Sequence, residues 1–450
     1  MTTGTPPPGP PSDDAPLPIV TADALDDTGR RALLARPAAE DRAGIVASVR
    51  ETVRTVRTGG DAAVLDYARR FDGGAPDRLR VDLRELVDAL AALPAAERAA
   101  LERAIANVSA FHAAQLPGPL ALETMPGVRC ERITRPLASV GLYVPGGSAP
   151  LPSALIMSAI PAALAGVRRR VLCTPARGGR VHPAILATAH LCGVEEVFAV
   201  GGAQAIAALA YGTETIPKVD KIVGPGSAWV TAAKQVVAED PQGAALDLPA
   251  GPSEVLVIAD DSARAEFVAA DLLAQAEHDP LSQALLLTPS RDLASAVRAA
   301  ALHQLQGLSR GDILQRSLAR SRLIVVRDLD AAIDLANEYA PEHLLLQVRG
   351  PRALLERVQN AGSVFLGPWS PEPMGDYCSG TNHVLPTYGY ARAYSGLSVA
   401  DFLKRITVQE LTEDGLRGLG PTASTLARLE GLDAHALAVD LRLRALGASP

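Results

Sequence analysis

From Leu137 to Gly367 short apolar runs alternate with helical segments, and this alternation restricts the fold more than any other feature of the chain. The first half holds LASVGLYV, VRRRVLCTP, EEVFAV and DKIV; the second holds EVLVIAD, QALLLTP, RLIVVRD, HLLLQV and SVFLG. Strands separated by helices pair in parallel, because each helix carries the chain back across the sheet. The expectation is therefore α/β, with two doubly wound Rossmann-like domains. Glycine turns at Gly146-Gly147, Gly201-Gly202 and Gly224-Gly226 fall at carboxyl ends of expected strands, where such sheets bind nucleotides. None completes GxGxxG, and glycines serve turn geometry equally well, so the turns leave both readings open.

The flanks set the domain boundaries. Residues 1–18 are Pro-, Gly- and Thr-rich and are expected to be a disordered tail, followed by a helical N-terminal arm over 19–45. Helical patterns fill Asp26 to Phe111 without strands of their own. They are expected to pack on the later strands, giving a first α/β domain of 46–136 and 249–397 with 137–248 inserted in it. Residues 398–450 read as a helical tail without a further strand, suited to docking or oligomerisation.

Composition excludes several classes of function. With 43 basic against 50 acidic residues the net charge is −7, which argues against a phosphate-backbone partner. Cys130, Cys173, Cys192 and Cys378 lie far apart with no CxxC pair, so neither a thiolate metal site nor a disulfide framework is indicated. That fits a reducing cytoplasm. No secretory signal pattern opens the chain, and the longest apolar run, Leu151 to Gly166, is short for a membrane span and holds Pro152 and Pro161.

The histidines separate into two groups. His112, His182, His190 and His303 have no acidic companions and read as surface or packing residues. In AADLLAQAEHDP (Ala269 to Pro280) a helix is expected to end at Asp279, because Pro280 disfavours helical geometry in its predecessor. Gln275 and His278, three apart on its last turn, would then share a face and converge on an ion or ligand, unless His278 is a satisfied core residue. Glu342 directly precedes His343, a pairing suited to proton transfer near neutral pH. His383 follows Asp376, and His435 lies five residues after Glu430, off the same face of an unbroken helix. Nitrogen and oxygen donors without thiolate suit a catalytic zinc or a manganese-like ion.

The runs VGLYVPGGSAPLPS, VGGAQAIAALAYGTE, KVDKIVGPG, LPAGPSEVLVIAD, DLLAQAEHDP, NEYAPEHL, GDYCSGTNHVLPT and EGLDAHALAV occur in this order. Together they resemble the L-histidinol dehydrogenase family, enzymes of the last steps of histidine biosynthesis, from about Leu34 to Leu443. The resemblance implies one zinc per active site, held at Gln275, His278, Asp376 and His435, the last from the partner subunit of a homodimer. It implies a catalytic pair at Glu342 and His343. Substrate contacts match Ser253, Gln275, His278, His343, Asp376, His383, Glu430 and His435. NAD contacts match Tyr143 and Gln204, and a third, an Asn in the family, falls on Ser227, which keeps a hydroxyl but loses the amide's paired donor and acceptor.

The implied reaction oxidises L-histidinol to L-histidine through histidinal, with two NAD reduced in turn. On this reading the first α/β domain carries most of the metal and catalytic residues, the inserted domain binds NAD, and the C-terminal tail dimerises. Membrane and nucleic acid are not expected partners. An alternative is a related zinc and NAD dehydrogenase acting on another small polar alcohol, since fold and metal do not fix the substrate. A catalytically idle dimer would leave the Glu342-His343 pair and the glycine turns without evident purpose.

Overall fold

A computed structural model describes residues 16–22, 25–37, 42–72, 76–146, 150–249 and 251–448. Residues 1–15 of the expected tail and Gly147 of the first glycine turn lie outside the described residues. In the arm, β1 (Ile19–Thr21) precedes α1 (Asp27–Leu33). Three helices follow: α2 (Arg42–Phe71), α3 (Leu83–Ala92) and α4 (Ala95–Ala113). The hairpin β2 (Leu120–Met125) and β3 (Val128–Pro136) leads into the first alternating region. That region comprises β4 (Ser139–Tyr143), α5 (Pro152–Leu164), β5 (Arg169–Thr174), α6 (Pro183–Leu191) and β6 (Glu196–Ala199). It continues through α7 (Gly202–Tyr211), β7 (Lys221–Val223), α8 (Ala228–Ala238) and β8 (Ala245–Leu246).

The second region runs β9 (Glu254–Ala259), α9 (Ala265–Ala276), β10 (Gln283–Thr288), α10 (Arg291–Leu305), α11 (Gly311–Arg320) and β11 (Arg322–Val325). Then come α12 (Leu329–Tyr339), β12 (His343–Gln347), α13 (Pro351–Leu355), β13 (Ser363–Leu366) and α14 (Glu372–Tyr377). The tail is β14 (Leu403–Leu411), α15 (Glu413–Leu429) and α16 (Asp433–Ala445).

Among the described residues these strands form three sheets. Parallel pairing gives a five-stranded sheet in the order β6-β5-β4-β7-β8 and a six-stranded sheet in the order β1-β11-β10-β9-β12-β13. Both are doubly wound, reversing direction between β4 and β7 and between β9 and β12, as the alternating pattern required. Strands β9, β10 and β12 are buried along their whole length, which explains their unbroken apolar runs.

Three expectations fail. First, α2, α3 and α4 pack on the helices that cover the five-stranded sheet, not on the later domain: Val49, Val53, Val56 and Val64 of α2 bury with Ile206 and Leu209 of α7 and Val230 of α8, while Leu86 of α3 and Val108 of α4 bury with Ile185 of α6 and Ile156 of α5. A buried valine or leucine contributes roughly 1.5–3 kcal/mol, and α5 and α7, apolar nearly all round, need cover on the side away from the sheet. The unit enclosed between the arm and β9 is thus longer than 137–248. Second, the arm is not only helical, since β1 pairs with β11, and Leu17, inside the expected tail, is fully buried. Third, the C-terminal tail contains β14, which pairs antiparallel with β3 over nine positions and closes a sheet β14-β3-β2. Ile406 and Val408 stand between the polar residues Arg405, Thr407 and Gln409, and most of the strand remains exposed, so no apolar run announced it.

Candidate active site

The two strands at the reversal of the six-stranded sheet begin with acid and imidazole. Glu254 opens β9 and His343 opens β12, in register one residue apart, with Glu342 immediately before β12. The cluster therefore gathers at the amino ends of these strands, opposite to the carboxyl ends at which open α/β sheets ordinarily bind ligands. Backbone groups of Glu254 hold both side chains: its N–H donates to Glu342 Oε2 at 2.8 Å, and His343 Nδ1 lies 3.1 Å from its carbonyl oxygen. With Nδ1–H donating there, Nε2 is the ring nitrogen of His343 that faces the rest of the cluster.

Asp376, on α14, lies with Oδ1 3.4 Å from His343 Nε2, beyond the geometry of a hydrogen bond, so both atoms stay without a partner. Glu372 stands four residues earlier on the same helix, hence on the same face. Ligating atoms of His278, Glu372 and Asp376 all lie within 4.8 Å of one another. Gln275, fully buried on the last turn of α9, has neither amide atom satisfied, and Glu372 Oε1 and His383 Nε2 are likewise buried and unpartnered. Orphaned buried polar atoms are costly, and donors from Gln, His, Asp and Glu suit a divalent ion of oxygen and nitrogen preference. The residues present fit a metal.

Electrostatics tie the cluster together. Burial pushes the Glu342 carboxyl up to about 8, against the pull of His343. Burial also acts to lower the His343 pKa, but Glu342 and then Asp376 outweigh it and raise it. Asp376 is held well below the carboxylate range: burial opposes this, and His343, His383 and His278 overcome it. Burial and then Asp376 push Glu372 well above the carboxylate range. Burial lowers both His278 and His383, against Asp376. His278 is nevertheless exposed by area, so it forms the open edge of the cluster.

α9 ends at Ala276, two residues before His278, so the expected helix to Asp279 is too long. A turn with His278 N–H donating to Gln275 O at 3.3 Å keeps the two residues adjacent. Ser253 is the residue before β9, beside Glu254.

The other expected contacts form a second group at the five-stranded sheet. Tyr143 ends β4, and its hydroxyl accepts from Gly202 N–H at 3.0 Å. Asp72, following α2, accepts from Gly201 N–H at 3.2 Å. These amides already have protein partners, one of them a carboxylate, so the Gly201-Gly202 turn is not a phosphate cradle. Gln204 is buried with Nε2 unpartnered, and Ser227 is the exposed N-cap residue of α8, making no side-chain cap.

Glu430 and His435 are not brought in. They flank the α15–α16 turn at Gly431, both exposed, and among the described residues neither side chain bonds to any member of the cluster. The sequence reading missed Glu372, although its i, i+4 spacing to Asp376 was a usable signal. It also missed Glu254, hidden at the edge of an apolar run, and Asp72, whose place beside Gly201 comes from the packing of α2 on α7.

A sequence model of the histidinol dehydrogenase family matches residues 35–443. Histidinol dehydrogenase of Vibrio vulnificus strain YJ016 is 53% identical over 425 residues, covering 94% of this chain and 98% of that protein. That of Yersinia pestis is 53% identical over 417 residues, covering 93% and 94%. The crystal structure of histidinol dehydrogenase from Elizabethkingia anophelis superposes with a TM-score of 0.91 at 43% identity, covering 96% of this chain and 99% of that one. With its fold, its buried acid–imidazole cluster and these relatives in agreement, the chain belongs to the histidinol dehydrogenase family of oxidoreductases.

Proposed function

We propose that the protein oxidises L-histidinol to L-histidine through L-histidinal, with one zinc ion in each active site and two NAD reduced in turn. The observation that carries this reading is the set of unpartnered buried donors at Gln275, Glu372, Asp376 and His383 around the Glu342-His343 pair. Gln275, His278 and Asp376 would hold the ion, which supplies positive charge that fixes and polarises a bound amino alcohol. His343 takes the alcohol proton at Nε2, because its Nδ1 is engaged by Glu254 O and an ion held by Asp376 would offset the carboxylate charge that raises its pKa. Glu342, with a carboxyl that exchanges its proton near neutral pH, activates the water that hydrates the aldehyde. Ser253 and His383 border the substrate; Tyr143, Gln204 and Ser227 face NAD, the acceptor of both electron pairs.

A homodimer completes the site, with Glu430 and His435 reaching the partner's cluster. Support comes from the tail itself: Leu429 is 80% exposed, and Leu437 and Leu441 are half exposed beside it, an apolar surface without cover in one chain. Among the described residues no helix is long and apolar enough to cross a membrane, in keeping with an enzyme of the cytoplasm.

The test is the NADH yield from a limiting, known amount of L-histidinol, before and after chelation. Two NADH per histidinol, abolished by chelation and restored by zinc, is the expected result. One NADH marks an alcohol dehydrogenase that releases its aldehyde, and none moves the substrate to another small polar alcohol; either refutes the reading.

A further inference from the structure

Arg36, three residues beyond α1, reaches the seat of the Glu342-His343 pair. The backbone of Glu254 grips both members of that pair, as described above. The Glu254 carboxylate accepts two bonds from Arg36, Nε to Oε1 at 2.5 Å and Nη2 to Oε2 at 2.9 Å. Arg36 Nη2 also donates to Tyr339 O at 2.7 Å and Ala340 O at 3.4 Å, and the guanidinium lies 3.9 Å from the centre of the Tyr339 ring. Tyr339 ends α12, and Ala340 holds a left-handed φ of 54°, a conformation an alanine adopts only where its surroundings enforce it. One residue further, Pro341 leads into Glu342. Tyr388, also left-handed at φ 55°, donates its N–H to Glu254 Oε1 at 2.9 Å.

The guanidinium thus joins the first residue of β9 to the turn that delivers the catalytic pair. We propose that Arg36 and Glu254 are positioning residues for proton transfer, a single clamp that fixes Glu342 Oε2 and His343 Nδ1 relative to each other. The inference rests on the functional reading above. The side chains are 13% and 2% exposed, and a buried ion pair adds little stability over an apolar pair of similar volume. Its planar, two-pronged geometry is what a strand start and a helix end need to be held in fixed relation. Losing Arg36 alone strands a buried carboxylate beside Glu342; losing the Glu254 charge as well removes that disturbance.

The experiment compares Arg36→Met, Arg36→Lys and the double variant Arg36→Met/Glu254→Gln as full-length, zinc-loaded protein. Arg36→Met should lower kcat about 10- to 100-fold while the KM for NAD and the zinc content per chain stay within about twofold, as expected when only alignment is lost. Arg36→Lys, which keeps the charge without the fork, should fall between, and the double variant should recover part of kcat. Unchanged kcat in Arg36→Met overturns the clamp. So does a loss of kcat that follows zinc loss or a lowered thermal midpoint with no recovery in the double variant, because that marks a merely structural pair. Wild-type protein that yields no NADH from histidinol refutes the functional reading instead, and is told apart by that control.

Discussion

Replacing Gly224 with alanine tests how the two halves of the five-stranded sheet meet. Gly224 follows β7 with φ +120°, and a β-carbon built there falls 2.1 Å from the carbonyl oxygen of Tyr143 at the end of β4. The turn cannot drift away, because Gly224 N–H donates to Asp247 Oδ2 at 2.8 Å and its carbonyl accepts from Lys234 Nζ at 3.0 Å, with Lys234 and Asp247 themselves paired. The backbone conformation alone costs an L-residue about 1–3 kcal/mol. Forcing the strand ends apart costs roughly 1–3 kcal/mol more, by analogy with overpacked cores. Together Gly224→Ala should lose about 2–6 kcal/mol, and Gly178→Ala supplies the control: φ is +58° but nothing lies within 4 Å, so only about 1–2 kcal/mol of conformational cost applies. A chain with two sheets need not unfold in one step, so hydrogen exchange at the amides of β4 and β7 is the appropriate assay. Exchange there should quicken by at least about tenfold, the equivalent of 1.4 kcal/mol, and the KM for NAD should rise with the displaced Tyr143. Exchange no faster than in Gly178→Ala, with an unaltered KM, would refute the close approach and the role given to Tyr143.

Three further outcomes follow from the site. Glu342→Gln should depress oxidation of histidinal more than that of histidinol, measured by supplying each; equal losses reject the division of labour between Glu342 and His343. Mixing inactive His435→Ala and His278→Ala chains should restore zinc-dependent activity in hybrid dimers to about a quarter of the wild-type level, since binomial pairing places one intact site in half of the dimers; no recovery refutes the shared site. His112 is buried with Nδ1 2.8 Å from Val108 O and Nε2 3.3 Å from Asn382 Nδ2, and burial lowers its pKa. A histidine depressed in the folded state contributes stability that is present above the unfolded value of about 6.5 and lost as pH falls through the lower folded one. His112→Gln should therefore flatten the fall of the thermal midpoint between pH 7 and pH 5, and an unchanged fall would show that His112 does not govern acid lability.

The two doubly wound sheets were legible along the chain, because a buried parallel strand needs an apolar run such as EVLVIAD and a crossover helix before the next one. The sequence also marked Gln275, His278, Glu342, His343, Asp376 and His383, since polar residues at element ends stand out against such runs. Local pattern carries no record of which elements a helix covers, so the placement of α2, α3 and α4 on the helices of the five-stranded sheet was settled only by the packing of Val53 and Leu86 against them. The exposed strand β14 formed because β3 offered a partner, and a short polar–apolar alternation does not say with which distant strand it bonds. Glu372 shares a helix face with Asp376 by its spacing, but only the fold brings its carboxylate within 4.8 Å of His278, and Arg36 acquires meaning only from the Glu254 carboxylate it meets. Spacing along a chain fixes neighbours within one helix or strand; the energy of buried charges depends on distances between elements, and those arise only when the sheets close.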